Sequence, residues 1–390
     1  GVNQAAGNIF VGLTAFFSRL PGADAAFPAP DVATAVFCAG LLGSLAWIVR
    51  SWVFSRSNPL EYPARPPRTA RLIAVLSGVL LTLTIMKPFL TTGTDRITWI
   101  DVGQGDCALV ETAEGKRILI DGGGSPDNKF DVGQKVVAPF LWNRGIRAID
   151  LVILSHPHPD HMNGLTSVLR LIPVREVWTS GRDLDLEGYE EFRKIAEQRG
   201  AIIRRMQAGE RASVGNAEFE VLHPGPGFDK AGRRAYEEEN NRSLVVKIDI
   251  SGKRILFTGD IHREAERSLI ASGAELRSDL LKLPHHGSKT SSTDAFLKTV
   301  GPAVAVVSAG AGNTYRHPSD DVVERLSASA IRLYRTDRDG AVIVNVNDGN
   351  LDVTAWTPLL LTPIVITNPA TWWESEKKNW QRVRIRRAVT

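Results

Sequence analysis

The sequence has little sulfur and little net charge. Two of its 390 residues are cysteine, Cys38 and Cys107, too few for a disulfide framework or a thiolate zinc cluster. Any metal site must therefore be built from histidine and carboxylate. Lys and Arg number 47 against 43 Asp and Glu, a balance of only +4. Bulk charge thus does not announce a nucleic-acid binder, and only local basic patches are left for that role. A composition that is 43% hydrophobic and 23% charged, with 34 Gly and 21 Pro, excludes a disordered, collagen-like or low-complexity chain. No repeat of fixed period is present. No GxGxxG spacing or Walker lysine accompanies Asp121-Gly122-Gly123-Gly124, which argues against nucleotide binding there; these glycines are expected to let the backbone turn close under a neighbouring loop. The length implies two or three domain-sized units, and a start at Gly1 without an initiator Met leads us to expect a piece of something longer.

The average composition hides a split. Val32 to Val49 runs without a charge, long enough as a helix to cross most of a bilayer. Leu72 to Met86 is shorter, but a snorkelling Lys87 and Phe89–Leu90 beyond it extend the run. Neither is framed by the basic n-region and cleavage site of a signal peptide. Two such runs close together in a chain otherwise rich in charge predict two transmembrane helices over 32–90. Their connector holds Arg50, Arg56, Arg65, Arg68 and Arg71 against Glu61 alone, so the positive-inside rule makes it cytoplasmic and puts the rest of the chain outside. Residues 1–31 read as the end of a preceding membrane region, with Ile9 to Leu20 an interfacial helix or the end of an earlier span. Residues 357–390 read as a Trp- and Arg-rich tail.

From about Asp95 the chain changes character. Short β-like runs (ITWIDV, CALVET, RILIDGG, LVILS, VREVW, FEVLH, SLVVKIDI, RILFTGD, LLKLPHHG, VAVVSAG, AVIVNV, LDVTAW) are interleaved with helical ones, near Val132 to Asn143, Met162 to Leu171 and Tyr189 to Gln198. That pattern predicts an α/β fold over 95–356, a sheet sandwich flanked by helices.

The chemistry is concentrated in Leu154-Ser155-His156-Pro157-His158-Pro159-Asp160-His161. His156, His158, Asp160 and His161 fall directly after an apolar strand, and imidazole nitrogen with carboxylate oxygen suits zinc or manganese where thiolate is absent. The chain has eight histidines. Apart from His223 and His262, the others are His285, His286 and His317, each after an apolar strand, so all converge on one sheet edge. Thr258-Gly259-Asp260 is again strand then carboxylate, and an Asp there can bridge two cations about 3.5–4 Å apart. His262 reads as an exposed first-turn helix residue, and His223 as a strand-end residue packing on Pro224.

HPHPDH, TGD, HHGS and YRHPS, preceded by DVGQGDC and LIDGGG, resemble the metallo-β-lactamase superfamily and its αββα sandwich. More narrowly, from Thr98 to Val346 the chain resembles the C-terminal domain of the ComEC/Rec2 family, the membrane channel for DNA uptake in competence. The LPGADAAFPAP segment and the two apolar helices extend that likeness upstream. The resemblance implies two divalent ions, Zn or Mn: His156 and His158 at the first, Asp160 and His161 at the second, Asp260 bridging, and His317 completing the second. The His285–His286 pair then supplies a catalytic or phosphate-facing imidazole, with His286 the alternative ligand. Asp101 and Asp106 fit the family pattern as structural residues. One departure stands out: where many members place another histidine, this chain reads Glu239-Asn240-Asn241-Arg242-Ser243, which leaves the first site short of one strong donor.

The implied chemistry is attack on phosphorus by metal-activated water, with Asp160 or His285 positioning the water or protonating the leaving oxygen. Ser288 and Lys289 beside a helix start offer a phosphate cradle, the plain alternative for Ser288 being a helix N-cap. By resemblance the activity is that of a nuclease degrading the non-transported strand, with sequence-independent contact to single-stranded DNA. Membrane and other competence proteins are then its partners. The domain would be extracytoplasmic on a multi-pass protein of the inner (cytoplasmic) membrane. The alternatives are a hydrolase acting on a small ester, lactone or phosphodiester, or a metal-poor binding or gating module.

Overall fold

A computed structural model describes residues 32–57, 68–90, 93–127, 129–180, 188–225, 239–347 and 349–356. The segments read above as a preceding membrane region, 1–31, and as a tail, 357–390, lie outside these residues. By internal contacts the chain divides at Ala355 into two units.

Two helices come first, α1 (Val32–Ser57) and α2 (Arg68–Leu90), where the uncharged runs predict them. They meet through small residues. A Cβ on Gly40 would lie 2.8 Å from Ser77 Oγ, and Ser44, Ala70 and Ser77 are buried. Larger apolar side chains, among them Val36, Leu42, Val49, Leu72, Val75, Leu76 and Leu83, are exposed. Side chains are described over 35–50 and 68–83 of these helices. Among the described residues, no helix is long and apolar enough to cross a membrane.

The strands run from β1 (Asp95–Trp99) to β15 (Asn350–Trp356) and form two sheets. With β6 (Ile202–Arg205), β7 (Arg211–Val214), β13 (Arg332–Arg335) and β14 (Ala341–Asn347), the eight-stranded sheet has the order β15-β14-β1-β2-β3-β4-β5-β6, and the seven-stranded sheet the order β13-β12-β11-β10-β9-β8-β7. Their ranges that matter here are β2 (Ala108–Glu111), β3 (Arg117–Ile120), β4 (Ile149–Leu154) and β5 (Val174–Thr179) in the first sheet. In the second they are β8 (Ala217–His223), β9 (Val245–Ile250), β10 (Lys253–Phe257), β11 (Leu280–Lys282) and β12 (Val304–Val307).

Period-two alternation decides the layers. On β2, Ala108 and Val110 enter the core between the sheets while Leu109 faces out. On β4, Leu151 and Ile153 face in, Val152 and Leu154 out; on β10, Ile255 and Phe257 face in, Leu256 out. Trp99 stacks on Phe257 across the sheets, with ring centroids 5.6 Å apart, and Trp178 meets Phe219 edge-on at 5.5 Å. Each outward face needs a cover, because a sheet with two apolar faces is stable only with both buried. The first sheet is covered by a π-turn (Gly133–Val137) running into α3 (Ala138–Asn143), then α4 (Pro159–Leu171) and α5 (Tyr189–Gln198). The second is covered by α6 (Arg263–Ala271), α7 (Asp294–Val300) and α8 (Asp320–Ala328). The result is the αββα sandwich that the motifs led us to expect.

The pairings β3–β4, β4–β5, β10–β11 and β11–β12 are parallel, so β3, β4, β10, β11 and β12 each end at an edge where loops collect. In α/β sheets that edge, beyond the carboxyl ends of the strands, is where ligands bind. The loops after β4, β10, β11 and β12 carry the histidine and aspartate motifs.

Candidate metal centre

The loop after β4 is extended through His158, and Pro159 then opens α4, with Asp160 in its first turn, where a carboxylate suits the positive end of the helix dipole. Two glycine loops hold this turn from beneath. Asp106 N donates to Asp160 O at 3.2 Å, Gly122 N to His161 O at 2.8 Å, and Gly164 N to Gly123 O at 2.9 Å. The approach leaves no room for a side chain: a Cβ on Gly164 would lie 1.8 Å from Gly122 O. The DVGQGD and DGGG segments are thus the floor on which the histidine loop rests.

Asp106, His161, Asp260 and His286, all buried, offer ligand atoms that lie within 4.8 Å of one another. Hydrogen bonding assigns the tautomers. His161 Nδ1 is 2.9 Å from Asp121 Oδ2, and His286 Nδ1 is 3.0 Å from Ser308 O. A carboxylate and a carbonyl only accept, so each Nδ1 carries a proton and each Nε2 is the nitrogen turned toward Asp260. Burial disfavours the imidazolium, but Asp260 and then Asp121 beside His161, and Asp260 and then Asp106 beside His286, outweigh it and raise both rings well above the usual histidine range. Both Nε2 atoms lie 3.3 Å from Asp260 Oδ2, yet neither makes a hydrogen bond. Asp160 Oδ2 is 3.3 Å from His286 Nε2, and Asp160 Oδ1 is 3.9 Å from His161 Nε2.

Two imidazole Nε2 atoms and the carboxylates of Asp260 and Asp160 thus face one point. This donor set fits a divalent cation, and carboxylates behind the histidines are the usual means of orienting metal ligands. Asp106 belongs to that outer layer. It lies on the Nδ1 sides of His161 and His286, at 3.7 and 3.6 Å, and is already ion-paired with Lys282.

Lys282, at the end of β11, is 3% exposed. Besides Asp106, its ammonium meets Gly259 O at 3.0 Å and Asp260 Oδ1 at 3.5 Å. Burial disfavours the Asp106 anion, but Lys282 and then His286 outweigh it and hold the carboxyl at about 2. Burial likewise opposes ionisation of Asp260, and His286, His161 and Lys282 keep it well below the usual carboxylate range. The carboxylates are therefore ionised and held by cationic neighbours, and a divalent ion can take the place of the imidazole protons among them.

His156 and His158 adjoin this group without joining it. Ser155 Oγ donates to Asp121 Oδ2 at 2.8 Å, so the 3.0 Å contact with His156 Nδ1 has the imidazole as donor. His156 Nε2 then faces His158 Nδ1 at 3.0 Å, and the rings of His156 and His161 are 4.2 Å apart.

His285 and His286 follow each other with φ of 48° and 53°, the left-handed region that costs a non-glycine residue about 1–3 kcal/mol. That turn sets the two rings edge to face, with centroids 6.1 Å apart and both Nε2 atoms toward Asp260. His286 enters the buried set. His285 remains at the mouth, its Nε2 3.9 Å from Asp260 Oδ2 and its ring stacked on His262 at 4.7 Å. His317 stands behind His285, ring centroids 5.7 Å apart, outside the four-residue group.

His262 is not an exposed first-turn residue. It occupies the N-cap position of α6, half-buried, with Nε2 3.2 Å from Asn240 Nδ2. His223 is buried at the end of β8 and donates to Asn241 O at 2.8 Å, with burial lowering its pKa to about 4. Ser288 is buried, its hydroxyl 3.0 Å from Thr290 Oγ1, while Lys289 is exposed. The next helix starts at Asp294, and Thr293 caps it.

Sequence reasoning missed the parts played by Asp121, Lys282 and Ser155, and took Asp106 for structure alone. Only the repeated pattern of strand followed by acid pointed to the aspartates, and nothing singled out the lysine.

The family described as the metallo-beta-lactamase superfamily matches residues 100–311. The chain is 31% identical over 258 residues to ComE operon protein 3 of Bacillus subtilis, covering 63% of this chain and 32% of that protein. It is 34% identical over 256 residues to Competence protein ComA of Neisseria gonorrhoeae, covering 65% and 33%. With Recombination protein 2 of Haemophilus influenzae the identity is 28% over 331 residues, covering 81% and 39%. The chain thus spans about a third of the length of the curated relatives it matches, and these are the competence proteins that its motifs resemble. A solved structure similar to it, the metallo-beta-lactamase fold protein YhfI from Bacillus subtilis, has a TM-score of 0.40 at 13% identity, covering 62% of this chain and 95% of that chain. With the family match extending over more than half of its residues, the chain belongs to the metallo-β-lactamase superfamily.

Proposed function

We propose that this domain is a metal-dependent phosphodiesterase that cuts single-stranded DNA at the membrane during DNA uptake, degrading the strand that is not transported. The observation that carries the reading is the convergence of His161 Nε2 and His286 Nε2 on Asp260 Oδ2 at 3.3 Å without a hydrogen bond. Asp160, His161, Asp260 and His286 would hold one divalent ion, Zn or Mn, and His156 with His158 would serve a second beside it. The bound cations supply charge for the phosphoryl oxygens and lower the pKa of water.

The chain's own groups do the rest. Asp121 and the Ser308 carbonyl fix the histidine tautomers, and Lys282 keeps Asp106 and Asp260 ionised in the absence of a ligand. His285 and Asp160 are the least buried members of the set, with side chains 23% and 24% exposed. They stand where a proton can pass between the site and an attacking or leaving oxygen. Lys289, exposed four residues after His285, would meet a backbone phosphate, with Ser288 as its neighbour. Contacts of this kind read phosphate and not base edges, which suits sequence-independent cleavage.

The printed names of the relatives, competence and recombination proteins, support DNA as substrate and other competence proteins as partners. The exposed apolar side chains of α1 and α2 support seating that pair in the inner membrane, with the arginine-rich connector cytoplasmic and the catalytic domain outside.

The test is Asp260→Asn in the full chain. The variant is expected to lose metal-dependent cleavage of a single-stranded oligomer by at least about 10²-fold, the scale of a lost electrostatic stabiliser, with its circular dichroism unchanged. Cleavage at the parent rate overturns the reading.

A further inference from the structure

The segment that follows β12 crosses the mouth of the metal centre and is pinned along its length. Ala309 N donates to Thr336 Oγ1 at 2.9 Å and Gly310 N to Gln104 Oε1 at 3.2 Å. Asn313 closes the turn from within. Its Nδ2 donates to Gly310 O at 2.9 Å and His317 O at 2.7 Å, and its Oδ1 accepts from His317 N at 2.9 Å. Ser319 N donates to Gly287 O at 2.9 Å, fastening the far end to the turn that carries His285 and His286.

At the tip of this fixed strap, Tyr315 is 64% exposed. Its ring lies nearly parallel to that of His317, at 5.8 Å and 20°. From there a row of rings leads inward, His317 to His285 at 5.7 Å and His285 to His262 at 4.7 Å. A large aromatic ring left in water on a pinned loop gains little from folding. One face of it is braced by an imidazole, and most of the side chain remains open to solvent.

We propose that Tyr315 is a stacking platform for a nucleobase of single-stranded DNA, braced by His317, whose ring in turn meets His285 at the mouth of the site. The inference rests on the phosphodiesterase reading and adds the feature that selects the substrate. Every base has a π-face, so stacking on tyrosine tolerates any sequence. In a duplex those faces are covered by neighbouring bases, so a platform of this kind prefers a strand already single. The phosphate beside the stacked base is thereby presented to the metal ligands, and the exposed Lys289 and Arg316 provide the charge that a passing backbone requires.

The experiment uses the full chain, a single-stranded DNA oligomer, and an oligomer of equal length with every base removed. Tyr315→Ala is expected to raise KM for the normal oligomer by roughly 5- to 100-fold, the range set by one lost base stack, with kcat retained. Tyr315→Trp restores the parent KM, and both variants cleave the abasic oligomer as the parent does. An unchanged KM for the normal oligomer overturns the proposal, and so does an equal loss on the abasic one, which would make Tyr315 a support of the strap.

Binding is read apart from cleavage with a 2-aminopurine oligomer titrated into the Asp260→Asn protein. Quenching that disappears when Tyr315→Ala is added supports the platform even if the parent cleaves no DNA, an outcome that would sink the nuclease reading alone. No quenching with Tyr315 present overturns the platform.

Discussion

Lys282 shows how much one residue can settle in this site. A buried ammonium costs several kcal/mol in desolvation unless its partners are fixed and ionised, and here Asp106, Asp260 and the Gly259 carbonyl surround it. Removing it leaves two buried carboxylates without their permanent counter-charge. We expect Lys282→Met to lower stability by about 3–5 kcal/mol, measured as a fall in the urea midpoint at pH 7 in chelator. Adding saturating Mn²⁺ should recover part of the loss, because a bound cation supplies the missing charge and stabilises the folded state by mass action. A variant with the parent midpoint in chelator would show that the lysine contributes no such balance. Nothing in Leu280-Leu281-Lys282 marks this role. A lysine closing an apolar strand reads as a solvated end, and only parallel pairing with β10 carries it under Gly259. His286 and His317 pose the same difficulty, since the left-handed turn at His285 and His286 decides which ring enters the site, and a run of letters does not announce that turn.

At the scale of elements, the sequence is more transparent. Strand positions were legible because the sheets have a core on each face, so the apolar runs on β2, β4 and β10 are nearly continuous. The six-residue spread of His156 to His161 placed the loop between β4 and α4. The π-turn at 133–137 was not separable from the helix after it, since both bury the same apolar face. Less visible still was the contact of glycine loops under α4. Gly164 reads as a defect in a helix until Gly122 is found against it, with no space for a methyl group between them. Gly164→Ala must push apart the DGGG turn and the first turns of α4, which carry Asp121, Asp160 and His161. We expect a loss of at least about 2 kcal/mol, the usual cost of overpacking, seen as a drop of several degrees in Tm. Weaker metal binding by calorimetry should accompany it. An unchanged Tm would mean that the floor of the site is not rigid.

For the whole molecule, the division is between a sandwich whose apolar surface is covered by its own helices and a helix pair whose apolar surface is not. Among the described residues Val36, Leu42, Val49, Val75, Leu76 and Leu83 are outward-facing, the kind of apolar concentration that marks an interaction surface. If this pair sits in lipid, the full chain should remain in the membrane pellet through an alkaline carbonate wash and come free in mild detergent. Recovery of folded chain in the carbonate supernatant would refute the placement. The helix positions were legible from the uncharged runs, but not the seam, because the Gly40–Ser77 approach depends on how two helices rotate against each other.

The donors proposed for the cation enter the polypeptide far apart, at positions 160, 161, 260 and 286, and on loops of both sheets. While a nascent chain is still leaving the ribosome, everything up to the Thr258-Gly259-Asp260 turn can be present without a complete pocket. The last imidazole arrives only with the strained turn after β11. An ion can therefore be captured firmly only by a finished sandwich, and a chain broken off earlier is left unarmed.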